Sequence, residues 1–160
     1  MLDAFKRFIK DVTFGDSDNL TFAEDDHRLA VAALLVHVIS VDGEVDDVEK
    51  TKLTTILRTH YSLSDSETAE LVALATDKDN EAVDMYGFTS VLKRKLEEDE
   101  RQKIIELMWQ LVYADGHVHE FEDNTIWRVS ELLGVSSRDR IALRQKVARE
   151  QAANVSEDEK

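Results

Sequence analysis

The chain has 160 residues, which suits one hydrophobic core, because single cores grow to about 100–200 residues before chains divide into domains. Its 34 Asp and Glu against 20 Lys and Arg give a net charge of −14, a field that repels phosphate backbones and anionic lipid and argues against nucleic acid as a partner. The absence of cysteine excludes disulfides, thiolate nucleophiles and iron–sulfur ligation, and points to a reducing cytoplasm.

No stretch approaches the ~18–20 apolar residues of a membrane span, and the N-terminus lacks the tripartite pattern of a secretory signal. Residues 1–13 instead predict an amphipathic helix with Leu2, Phe5, Phe8 and Ile9 on one face and Lys6, Arg7 and Lys10 nearby. Such a helix packs on its own core or grazes a membrane. A polar loop follows over residues 14–19. Thr21 and Glu24 have capping-box spacing, which predicts a helix running to about Val41. Its stretch over residues 29–41 is apolar on nearly every side, interrupted by His37 and Ser40, and belongs at the centre of the fold. His37 reads as a buried, hydrogen-bonded core residue.

Further helices are predicted over residues 46–61, after a cap at Ser64 and Glu67, and over residues 84–96, with residues 77–81 read as a loop. After a charged corner at residues 97–100 comes a second strongly apolar helix that includes Ile104, Leu107, Trp109, Leu111 and Tyr113. Helices over residues 120–133 and about 137–148 complete the set, and residues 151–160 read as a polar tail. Proline is absent and glycine occurs only five times, so little interrupts a helix. Trp109 and Trp127 both fall at core spacing.

The two apolar helices align with each other. Leu34 to Glu49 lies over Leu107 to Glu122 with a constant offset, 115 − 42 = 73, and each copy carries an Asp-Gly turn at its centre. The expectation is an all-α, single-domain bundle of about seven or eight helices. Its domain proper covers residues 21–150, with repeat copies at about 29–64 and 102–136 around a pseudo-twofold axis.

An apolar helix, Ala/Val-Asp-Gly-x-Val, and then a Glu several residues on, present twice, resembles the tellurite-resistance protein TerB family. The segments 82–89 and 96–101 also look like the linker of its TerB-like bacterial branch. The resemblance covers roughly residues 29–147. It implies an all-α fold and a stress-associated cytoplasmic protein with a metal-binding role. The family's paired acidic residues fall on Asp42 and Glu49 in the first copy and on Asp115 and Glu122 in the second. This chain departs from the pattern at His117 and His119, which stand opposite Glu44 and Asp46.

Read from the residues themselves, Gly43 and Gly116 close helices, and Asp46 with Glu49 has capping-box spacing, so turn-making accounts for much of the motif. It accounts less well for Asp42 and Asp115, carboxylates at the negative end of a helix dipole. Four converging carboxylates suit a hard cation such as Ca²⁺ or Mg²⁺. Participation of His117 and His119 would favour Zn²⁺, Ni²⁺ or Cu²⁺. An EF-hand fails on spacing, since Asp47 replaces the loop glycine and Leu53 the terminal glutamate, and a zinc-protease motif would need His where Asp123 stands. Five scattered glycines form no phosphate cradle or nucleophile elbow, so no catalytic constellation is present. Two readings stand open: a non-enzymatic cation-binding protein, and an interaction scaffold whose acidic face docks a basic partner or whose N-terminal helix docks a membrane complex.

Overall fold

A computed structural model describes residues 22–23, 26–41, 47–82, 84–114 and 118–158. The predicted N-terminal helix, the loop after it, and the cap residues Thr21 and Glu24 lie outside the described residues. Seven helices are described: α1 (His27–Ser40), α2 (Asp47–Tyr61), α3 (Asp65–Glu81), α4 (Tyr86–Lys95), α5 (Glu98–Val112), α6 (Glu120–Leu132) and α7 (Ser137–Asp158). Among the described residues there is no strand.

The first apolar helix begins later than its sequence predicts. Asp26 is the N-cap of α1, its carboxylate accepting from the Arg28 backbone N–H at 2.8 Å. The same carboxylate pairs with the Arg28 guanidinium at 2.7 Å, and that guanidinium lies 4.5 Å from the centre of the buried Phe22 ring. This local cluster sets the start of the helix, with Phe22 folded under it. From Leu29 to Ile39 every residue of α1 except His37 is buried, as the lack of a polar face requires. Helices α2 to α6 all pack against α1, and α5 in turn packs against α1, α2, α6 and α7. The two strongly apolar helices therefore meet at the centre.

The burial pattern follows the 73-residue offset. The buried residues of α5 are Ile104 to Trp109, Leu111 and Val112. Moved back by 73, they fall on Val31 to Val36, Val38 and Ile39, all buried in α1. In α2 the buried set is Glu49, Leu53, Ile56 and Leu57, and in α6 it is Glu122, Ile126, Val129 and Ser130, again 73 apart at each position.

Two charged segments predicted as breaks are helical. The run over residues 77–81 is the end of α3, which starts with the predicted Ser64–Glu67 capping box. The helix continues because Asp77 is buried against the core and Asp79 faces α1, where its Oδ1 lies 2.8 Å from His37 Nδ1. His37 is accordingly hydrogen-bonded but only half buried. Glu97 is the N-cap of α5, and Glu98, Asp99 and Glu100 form its first turn, where negative charge meets the positive end of the helix dipole.

Helix α4 is shorter than expected, beginning at Tyr86 with the Asp84 carboxylate accepting from its N–H at 3.0 Å. Helix α7 is longer, running through Asp158, because residues 137–158 contain neither Gly nor Pro. Trp109 is fully buried, but Trp127 is 43% exposed. Trp127 stands one position, about 100°, away from Ile126 on the buried stripe of α6.

Candidate functional site

The predicted acidic residues divide between described and undescribed positions. Asp42, Asp115 and His117 lie outside the described residues, whereas Glu49, Glu122 and His119 are described. Glu49 lies in the first turn of α2 and Glu122 in the first turn of α6, and they are 3% and 2% exposed. Their preceding neighbours, Val48 and Phe121, are 50% and 63% exposed. Each helix therefore enters with an apolar side chain outward and a carboxylate inward, the reverse of what hydropathy alone would choose.

Glu122 has a structural task. Its Oε1 accepts from the His119 backbone N–H at 3.1 Å, reaching back across the start of α6 as the third residue of a capping box does. His119 itself stands at the N-cap of α6 and is exposed.

A cavity of about 550 Å³ is lined by Asp47, Val48 and Thr51 near the start of α2, by Ala114 just past α5, and by Gln151 of α7. Residues that follow the first Asp-Gly pair of the sequence and the residue that precedes the second thus border the same space. Among the described residues, no group of three or more His, Asp or Glu side chains is arranged to hold a metal ion.

Sequence reading missed another buried carboxylate. Glu106 of α5 is 3% exposed and is bonded by Lys103 from its own helix and by Lys146 from α7. Burial pushes its carboxyl upward, but the two lysines prevail and hold it below the ordinary glutamate value. It occupies the position of Ala33 in the first copy, and only the long-range partner Lys146 distinguishes it from a surface charge on an amphipathic helix. Nearby, Arg144 of α7 lies over the Trp109 ring at 5.0 Å, donates to the Tyr113 hydroxyl at 3.2 Å, and pairs with Asp123 of α6 at 3.0 Å. These contacts tie α7 to α5 and α6 and form no reactive constellation.

A bundle that is helical throughout its described residues, with two apolar central helices each followed in sequence by an Asp-Gly pair and a buried glutamate, is the class these features define. The model of the tellurite resistance protein TerB family matches residues 28–145, well over half of the chain, and the protein belongs to that family. No curated protein and no solved structure matches the chain. None of the described helices is long and apolar enough to cross a membrane.

Proposed function

We propose that this TerB-family protein is a non-enzymatic, stress-associated protein that holds a divalent cation through Asp42, Glu49, Asp115 and Glu122. The reading rests on one observation above others: Glu49 and Glu122, at matching places in two first turns, are both buried. Two inward-turned carboxylates at corresponding helix starts offer the oxygen donors that a hard cation takes. One Glu122 oxygen already serves the His119 N–H, leaving the other to a cation. The cavity bordered by both the start of α2 and Ala114, each next in sequence to an Asp-Gly pair, supports the reading. The exposure of His119 favours an all-oxygen donor set, and hence Ca²⁺ or Mg²⁺ over Zn²⁺ or Ni²⁺.

Titration calorimetry on chelator-stripped protein with Ca²⁺, Mg²⁺, Zn²⁺ and Ni²⁺ tests the reading. Saturable heat with Ca²⁺ or Mg²⁺, lost in the Asp42→Asn, Asp115→Asn double variant, is expected. No heat with any of the four ions would leave the acidic residues as turn architecture, and the interaction scaffold would then be the better account.

A further inference from the structure

Three cavities run into one another along α2. One of about 550 Å³ at the start of the helix shares Lys52 and Thr55 with one of about 220 Å³ at its middle. The second shares His60 and Lys103 with one of about 130 Å³ at the end. Together they form a trough about 20 Å long, the length of the fifteen-residue helix. Val48, Thr55 and Thr59 of α2 line one wall, and Leu107 and Gln110 of α5, with Ala114 just beyond it, line the other.

The way the helices pack indicates what fits such a trough. Helix α1 packs on α2 and α3 as α5 packs on α6 and α7, α2 packs on α3 as α6 packs on α7, and α2 packs on α5 as α6 packs on α1. Helix α4 has no counterpart among the described residues. It packs on α1 and α6, and the place that answers to it lies on α5 and α2, where the trough runs. The chain holds a second segment with the pattern of α4. Met85, Phe88, Val91 and Leu92 are the apolar residues that α4 and its N-cap turn toward the core. Moved back by 83 they fall on Leu2, Phe5, Phe8 and Ile9, apolar at every position and on one helical face. This offset is ten residues longer than that of the central helices, and the polar run 14–19 takes up the difference.

We propose that residues 1–13 form a helix that docks in this trough with Leu2, Phe5, Phe8 and Ile9 turned inward, as α4 docks on α1 and α6. Length and tether agree with this. Thirteen helical residues span about 20 Å, matching the trough. Residues 14–21 reach up to about 27 Å, and they join Phe22, which lies under Arg28 at the start of α1, the end at which His27 borders the trough. Direction follows from α4, whose end lies by the end of α6: a Cβ at Gly134 would stand 4.0 Å from Lys93 Cε. The docked segment therefore runs alongside α2 in the same sense, with Leu2 toward Val48 and Ile9 toward Thr59. Arg7, opposite the apolar stripe, faces water. The inference is independent of the cation reading, since it shares none of its four residues.

Because the chain has no cysteine, a nitroxide on the Arg7→Cys variant reads the docking in the full chain by NMR. The amide signals of residues 51–59 and 107–114 should broaden, while those of residues 126–131 in α6 are spared. Adding Phe5→Asp and Ile9→Asp should abolish this broadening and lower the melting temperature by several degrees. Broadening of no particular set of amides, as a freely moving tail gives, overturns the proposal, and so does broadening that survives the two Asp substitutions. Broadening seen only when spin-labelled protein is mixed with an isotope-labelled copy puts the segment of a second molecule in the trough and also overturns it. A label that is mobile in buffer and stilled only by phosphatidylglycerol vesicles assigns the segment to a membrane, with the same consequence. If the Asp variant fails to fold, the pattern from Arg7→Cys alone decides.

Discussion

Ser62 and Gly134 end α2 and α6 in the same left-handed backbone conformation, with φ of 54° and 74°. In both cases the next amide reaches back five residues, Leu63 N–H to Arg58 C=O at 2.9 Å and Val135 N–H to Ser130 C=O at 2.8 Å, the long bond of a Schellman ending. A side chain in this conformation costs about 1–2 kcal/mol, and glycine escapes the cost. Ser62→Gly is therefore expected to stabilise the protein by roughly 0.5–1 kcal/mol, offset in part by extra freedom in the unfolded chain. Gly134→Ala should destabilise it by about 1–2 kcal/mol. A Cβ there would meet the Arg101 guanidinium only at 3.7 Å, so the loss is conformational and not steric. Urea denaturation of the two variants checks both signs.

Glu106 makes a different prediction at the same scale. Its carboxyl is held below the ordinary value of 4.5 by Lys103 and Lys146, against the upward pull of burial. A depressed carboxylate stabilises the fold fully above its unfolded value, and the contribution disappears as pH falls through the folded value. Glu106→Gln is expected to cost about 1–3 kcal/mol at pH 7, the usual worth of a charge-assisted hydrogen bond, with the lower part favoured because both lysines are about half exposed. The gap between parent and variant should close as the pH drops below about 4.5. Melts of both proteins from pH 7 to pH 3 measure it.

At the scale of elements, α1 owes its position to having no face to offer water. Leu35 of α1 and Leu111 of α5 are both fully buried. Leu35→Asp or Leu111→Asp should abolish cooperative folding, because an unpaired buried charge costs several kcal/mol, comparable with the whole stability of a small domain. A sharp native-like melt in either variant, followed by circular dichroism, would contradict the central placement of these helices. The apolar period of both helices was legible in the sequence, and so was the Ser64–Glu67 cap. The continuation of α3 through residues 77–81 was not, because it depends on Asp79 finding His37, 42 positions away. The same holds for Trp127, whose spacing suits a core but whose helix turns its stripe through Ile126 and Val129 instead.

For the whole molecule, an excess of 14 negative charges means that the cation proposed for Asp42, Glu49, Asp115 and Glu122 would do more than fill a site. A ligand that binds only the folded state raises the melting temperature by mass action. Millimolar Ca²⁺ or Mg²⁺ should raise the melting temperature of the stripped parent protein. The Asp42→Asn, Asp115→Asn variant should show no such rise and should melt higher than the parent without metal, since less like charge remains. Differential scanning fluorimetry resolves both effects, and a variant that still responds to the ion would place the cation elsewhere.

The chain by itself determined the helical class, the two apolar helices, the family and the 73-residue correspondence, because each is written in local period or in residue identity. The burial of Glu49 and Glu122 was half legible: their spacing announced a helix start, while only packing showed that both turn inward. The Glu106 clamp and the contacts of Arg144 with Trp109, Tyr113 and Asp123 were decided by tertiary structure alone. Their residues come from different helices, and no period or motif along the chain encodes which side chains meet where those helices cross.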